Sequence, residues 1–260
     1  MRFAPQLLTL ALGTLLAAGA HAADEAKITP TERAHIQAAV KTIKETATIK
    51  SIRDVPGTGL KEVIADSTVV YMDPTGRYLF FGTLLDLKEK KNLSDDAAAS
   101  VRRSSLQSIP EADKIVYAPA VVKHRVTVFT DISCGFCHKV HENMKGYLDR
   151  GIAIEYVPYP RGGQQNPAWN EMRKIWCSKD RKAAFDYVQS GKSLTTEANC
   201  DDPVARTYAL GEALAFEGTP AIYTEDGKQL GGFVPPEEMA VRLDKEEPQG
   251  SAKSEKVASK

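Results

Sequence analysis

The sequence predicts two successive folds in one chain: a small α+β unit, a connecting helix, and a larger alternating α/β unit. Three observations carry this. One helix-period segment is followed by short strand-like runs as far as Thr83. A run rich in alanine and charge, Ala97 to Gln107, then stands alone before Pro110. From Val121 onward strand and helix patterns take turns, the signature of an α/β sheet.

Residues 1–22 are expected to be a secretory signal peptide. Arg2 supplies a positive n-region, and Leu7 to Ala18 is almost wholly apolar. Ala20-His21-Ala22 offers small residues where a signal peptidase reads, with cleavage after Ala22. The alternative is an uncleaved anchor, but the apolar run is short for a membrane span. No later segment is long and apolar enough to span, so a soluble, exported protein is expected.

Residues 23–92 are assigned to the first unit. Thr29 can cap a helix with Pro30 in its first turn, running to Ile43. Strands are expected over Thr46–Arg53, Leu60–Asp66, Thr68–Met72 and Tyr78–Thr83. Asp73-Pro74-Thr75-Gly76 joins the last two as a hairpin turn. So small a unit has little core, and pairing with a second copy would give its sheet cover. Residues 93–110 read as a largely exposed linker helix, capped from Ser94 and ended by Pro110.

Residues 111–245 form the second unit. A strand over Arg125–Thr130 leads to a helix from about Gly135 to Leu148, and Gly151 precedes a strand over Ile152–Pro158. A helical insertion follows: Asn166 to Gln189, broken near Ser178, then Pro203 to Phe216. Ala221–Thr224 and Gln229–Phe233 read as a hairpin turning at Asp226-Gly227, and Pro235-Pro236 opens a last helix to about Leu243. Residues 246–260 are polar and charged and are expected to be disordered.

Thirty-four basic and 34 acidic residues cancel and are mixed along the chain, so no basic face is expected for nucleic acid. The charges between Lys88 and Asp96 read as solvated surface.

The four cysteines, Cys134, Cys137, Cys177 and Cys200, would meet an oxidising compartment after export. Four cysteines allow three pairings. The two-residue spacing makes Cys134–Cys137 a local pair and leaves Cys177–Cys200. The first pair follows a strand and opens a helix. Free N–H groups and the helix dipole there lower a thiol's pKa, and the thiolate is the nucleophile of disulfide exchange. Cys134 is the candidate nucleophile. Cys137, in the first turn, is the candidate resolving thiol.

Three other readings compete. Cys134-Gly135-Phe136-Cys137-His138 fits the c-type haem attachment rule, but the preceding strand and following α/β pattern do not suit a haem domain. Zinc on Cys134, Cys137, His138 and His141 would need ligands within one helix to converge on one point. A structural bridge would close too short a loop to stabilise much. No metal and no cofactor is therefore expected.

Gly218-Thr219-Pro220 precedes the strand at Ala221. By itself this is an ordinary proline at a strand start. With an upstream CxxC it suggests a cis bond facing the sulfurs, exposing the Thr219 backbone to an extended substrate. Together these features predict a thioredoxin-type exchange domain. A Cys177–Cys200 bridge reads as structural, worth about 3 kcal/mol in the chain-entropy picture. Neither cysteine has the helix-start context of an activated thiol.

Val126 to Lys139, with Cys134-Gly135-Phe136-Cys137-His138 at its centre, resembles the periplasmic disulfide isomerases of the DsbC type. Tyr159-Pro160-Arg161-Gly162, Gly218-Thr219-Pro220-Ala221, Gly59-Leu60-Lys61-Glu62-Val63 and Gly82-Thr83-Leu84-Leu85-Asp86-Leu87 resemble that family too. The resemblance implies a periplasmic, V-shaped homodimer. Cystatin-like N-terminal domains would dimerise, and linker helices would carry thioredoxin domains facing an uncharged, apolar cleft. It implies Cys134 as nucleophile, Cys137 as resolving thiol, Thr219 and Pro220 as the substrate-binding cis-proline pair, and Cys177–Cys200 as a structural bridge. Substrates would be misfolded, disulfide-containing exported proteins, and an inner-membrane DsbD-type reductase would keep the pair reduced. A DsbG-type reductase protecting single thiols, or a chaperone holding unfolded chains, are the neighbouring readings. Phe136 departs from the tyrosine of the best-known members; that bears on the redox potential rather than on the chemistry.

Overall fold

The computed structural model describes residues 28–246 and 255–256. The expected signal peptide and most of the expected disordered tail lie outside them. The described residues form two compact units that part between Gly82 and Thr83.

The first unit opens with helix α1 (Pro30–Ile43). Thr29 and Glu32 form a reciprocal capping box: Glu32 N–H donates to Thr29 Oγ1 at 3.2 Å, and Thr29 N–H to Glu32 Oε2 at 2.7 Å. Ile36 and Val40, one turn apart, bury the same face. That face packs with Ile52, Val63, Val70 and Met72 of an antiparallel sheet, β1 (Ile49–Val55), β2 (Leu60–Ala65), β3 (Thr68–Met72) and β4 (Leu79–Phe80), in that order. The β3–β4 turn forms where the proline–glycine signal lies. Asp73 accepts from Tyr78 N–H at 2.7 Å and Thr75 N–H at 3.1 Å. Gly76 sits at φ +70°, and any Cβ there would meet the His35 carbonyl at 2.8 Å, so only glycine fits. The strand pattern at Tyr78–Thr83 shortens to two residues, and Tyr78, Phe80 and Phe81 are exposed.

The second unit begins with the small hairpin β5 (Leu85–Asp86) and β6 (Lys91–Asn92), which leads into α2 (Leu93–Gln107). Asn92, not Ser94, caps α2, accepting from Asp95 N–H at 3.1 Å; the Ser94 hydroxyl instead accepts from Leu84 N–H at 2.8 Å. The expectation of a largely exposed helix also needs correction. Ala97, Ala99, Val101 and Leu106 are buried. Leu106 joins Phe129, Tyr159 and Tyr223 in one cluster, and Arg102 Nε donates to the Gly227 carbonyl at 2.7 Å. The alanines that made the helix look featureless are what permit close backbone approach.

The larger sheet has five strands in the order β12-β11-β9-β10-β7: β7 (Ile115–Tyr117), β9 (His124–Thr130), β10 (Ile152–Pro158), β11 (Ala221–Thr224) and β12 (Gln229–Gly231). The short β8 (Val121–Val122) precedes β9 and pairs with Glu255–Lys256, a segment expected to be disordered. Strand β7 was not foreseen; its three residues are too few to show a period. β10 is buried at every position, as a parallel strand covered on both faces should be. β9 and β10 run parallel, while β7, β11 and β12 are antiparallel to their neighbours.

The single helix expected from Gly135 to Leu148 is two, α3 (Gly135–Glu142) and α4 (Met144–Asp149). They break at Asn143, whose side chain donates to the Lys139 carbonyl at 2.8 Å. The insertion holds α5 (Pro167–Cys177), α6 (Arg181–Gln189) and α7 (Val204–Leu214), and α8 (Pro236–Glu246) closes the unit. Cys177 and Cys200 form a disulfide with Cα atoms 5.6 Å apart, tying the end of α5 to the segment before α7 across 23 positions.

Candidate active site

The two parallel strands end together, and the site is built on that edge. Register pairs Pro158 with Thr130, so the segments after β9 and β10 leave the sheet side by side. Register also pairs Ala221 with Phe129 on the antiparallel β11, so Thr219 and Pro220 arrive from the opposite direction beside Asp131 to Cys134. The Thr219–Pro220 peptide bond is cis.

Cys134 is the N-cap of α3, with extended φ −95° and ψ 115°. Cys134 and Cys137 carry free thiols, and both are buried. The protonated Cys134 thiol donates to the Thr219 carbonyl at 3.1 Å. The Cys134 pKa is held down to about 5, chiefly because the Cys137 thiol donates to its sulfur. Burial works against this. The Thr219 side chain and the N–H groups of Cys137 and Phe136 also favour the thiolate. The Thr219 hydroxyl is buried and has no hydrogen-bond partner among the described residues, so it is free to turn to a thiolate. Cys137 is pushed well above the ordinary thiol range, first by burial and then by its bond to Cys134. At neutral pH one sulfur is therefore ionised and the other is not.

Phe136, between the cysteines, is 57% exposed, and Lys139 Nζ lies 5.0 Å from its ring centroid. His138 turns its Nε2 to the Ile132 carbonyl at 2.8 Å. Cys177 and Cys200 lie in the insertion, bonded to each other.

Sequence reasoning gave no role to the pair beneath this loop. Asp131 is fully buried. It accepts from Arg161 Nε at 2.9 Å, Arg161 N–H at 3.0 Å, Ser133 N–H at 2.8 Å and the Ser133 hydroxyl at 2.7 Å. Its own N–H points at Cys137 Sγ, 3.5 Å away. The carboxylate thus ties the loop after β10 to the loop that presents Cys134. An acid three residues before a CxxC was the available signal, but its partner lies 30 positions away.

A deprotonated cysteine at a helix start, a buried protonated one in the first turn and a cis-proline beside them, all on a mixed sheet, define a thioredoxin-fold thiol–disulfide exchange protein. A family model for the thioredoxin-like domain matches residues 112–247, and one for the disulfide bond isomerase protein N-terminal domain matches residues 19–95. The chain is 39% identical to the thiol:disulfide interchange protein DsbC of Escherichia coli K12 over 205 residues, covering 78% of this chain and 84% of that one. It is 36% identical to DsbC of Dickeya dadantii over 239 residues, 92% of each chain. The chain belongs to the DsbC family of thiol:disulfide interchange enzymes, with the N-terminal domain and thioredoxin-like domain in the order the sequence predicts.

Proposed function

We propose that Cys134 is the nucleophile and Cys137 the resolving thiol of a periplasmic disulfide isomerase. The observation that carries this is the split in the pair, with Cys134 held down to about 5 and Cys137 held protonated beneath it. The Cys134 thiolate attacks one sulfur of a wrong disulfide. A Cys134–substrate bond forms as the substrate S–S bond breaks, and the electron pair leaves on the other substrate sulfur. A different substrate thiolate can then attack the mixed disulfide at the substrate sulfur, forming a new substrate bond and returning Cys134 as thiolate. No net electrons move on this route. If the substrate stalls, Cys137 loses its proton and attacks Cys134, closing Cys134–Cys137 and releasing a reduced substrate. That route spends two electrons, which a dithiol reductant of the DsbD type would restore.

Thr219 and Pro220 are the substrate-binding pair in this reading: the Thr219 carbonyl lies 3.1 Å from the attacking sulfur of Cys134, where an extended substrate could lie alongside. Misfolded exported proteins are the substrates. The exposed side chains around β4 suit the partner surface of a homodimer. Export to the periplasm agrees with a free thiol pair coexisting with a formed Cys177–Cys200 bridge. Reactivation of scrambled, multi-disulfide ribonuclease tests the reading. Wild-type protein should restore activity and Cys134→Ser should not. Equal reactivation by both would remove Cys134 from the role.

A further inference from the structure

A cavity of about 560 Å³ opens beside the cis-proline, lined by Phe216, Glu217, Thr219, Pro220, Gly231 and Gly232 among others. It shares Thr219 with the exchange site, and the Thr219 carbonyl lies 3.1 Å from Cys134 Sγ. A polypeptide bonded to Cys134 and running along Thr219 would carry a neighbouring side chain into this space.

The chemistry of the lining selects that side chain. Phe216 and Pro220 give apolar walls. Gly231 and Gly232 leave the opposite side open: a Cβ on Gly231 would meet nothing within 4 Å, and one on Gly232 only the Pro220 carbonyl at 3.8 Å. Glu217 is the one charged residue in the lining. It is exposed and has no ion pair or hydrogen bond among the described residues. Gln229 adds a neutral polar group. A long stem needs apolar walls and its cationic head needs a carboxylate, which describes lysine and arginine. An acidic side chain would bring like charge to Glu217, and a short apolar one would leave the carboxylate unmatched.

We propose that this cavity is a side-chain subsite that favours a lysine or arginine flanking the attacked substrate cysteine. The proposal rests on the exchange chemistry assigned to Cys134, and it adds a preference among substrates that the exchange chemistry alone does not supply. Glu217 touches substrate in it, while Gly232 acts by leaving room.

The test uses the full-length protein with its pair reduced, and single-cysteine peptides blocked as mixed disulfides with a chromophoric thiol. The residues on both sides of the cysteine are lysine, alanine or glutamate, and chromophore release in a single turnover gives the second-order rate constant. Wild type should prefer lysine over alanine by about three- to fivefold at low ionic strength, the range of an exposed ion pair. High salt should shrink that ratio. Glu217→Gln should level lysine and alanine, and Glu217→Lys should turn the preference toward glutamate. Gly232→Leu, which fills the cavity at ordinary backbone angles, should lower release from the lysine peptide more than from the alanine one. The readout is a ratio between peptides within one variant, so a general loss of folded protein moves none of these. A wild-type ratio of one, or a Glu217→Gln ratio equal to a wild-type preference, overturns the subsite while leaving the exchange reading standing. Absence of release from every peptide by wild type would instead sink the exchange reading.

Discussion

Replacing Cys137 with alanine should raise the pKa of Cys134. The Cys134 value of about 5 depends first on the hydrogen bond from the Cys137 thiol. A hydrogen bond to a charged group contributes about 1.5–3 kcal/mol, which corresponds to a midpoint about one to two pH units higher. The variant should therefore titrate near pH 6–7, well short of the ordinary 9.0 because Thr219 and the helix N–H groups remain. Cys137→Ser keeps a donor and should move less. The assay is the pH dependence of iodoacetamide alkylation of reduced protein, with the thiolate's ultraviolet absorbance as a second reading. A Cys137→Ala midpoint still at about 5 would show that the helix start alone ionises Cys134, and the reasoning would fail. Stability carries the same sign. A thiol whose folded pKa is depressed stabilises the fold fully above its unfolded value, and that stabilisation is lost as pH falls through the folded one. Cys134→Ser lacks the ionising group, so its stability deficit against reduced wild type should narrow as pH drops from 9 to 5.

Arg161→Ala should cost about 2 kcal/mol, since it leaves a buried carboxylate short of its cation, partly offset by the solvent already reaching Arg161; a urea midpoint unchanged from wild type would contradict the role given to Asp131. Removing the insertion bridge as Cys177→Ala with Cys200→Ala should lower stability by about 3 kcal/mol while turnover of a small disulfide persists, because the bridge ties the insertion and leaves both Cys134 and Cys137 as free thiols. Gly227→Ala should destabilise by at least ~2 kcal/mol, because the residue has φ +86° and its Cβ would fall 2.1 Å from the Ala99 carbonyl. Thermal unfolding would expose that loss, and a variant as stable as wild type would mean α2 is free to move off the turn.

The exchange chemistry and most elements were legible along the chain itself. Cysteine spacing after a β-branched strand marked Cys134 as the candidate nucleophile, because a helix start activates a thiol wherever it occurs. Capping and turn signals are equally local, so Thr29, Asp73-Pro74-Thr75-Gly76 and Asp226-Gly227 could be read directly. What depends on partners far along the chain could not. Asp131 looks like any loop acid until the parallel register brings Arg161 beside it. The alanine-rich helix looks solvent-facing until Gly227, well over a hundred positions on, allows its backbone to approach. The subsite at Glu217 has no motif at all, since its walls come from two segments joined only by the β11–β12 hairpin. Local physics fixes which sulfur ionises; only the tertiary fold decides what surrounds it.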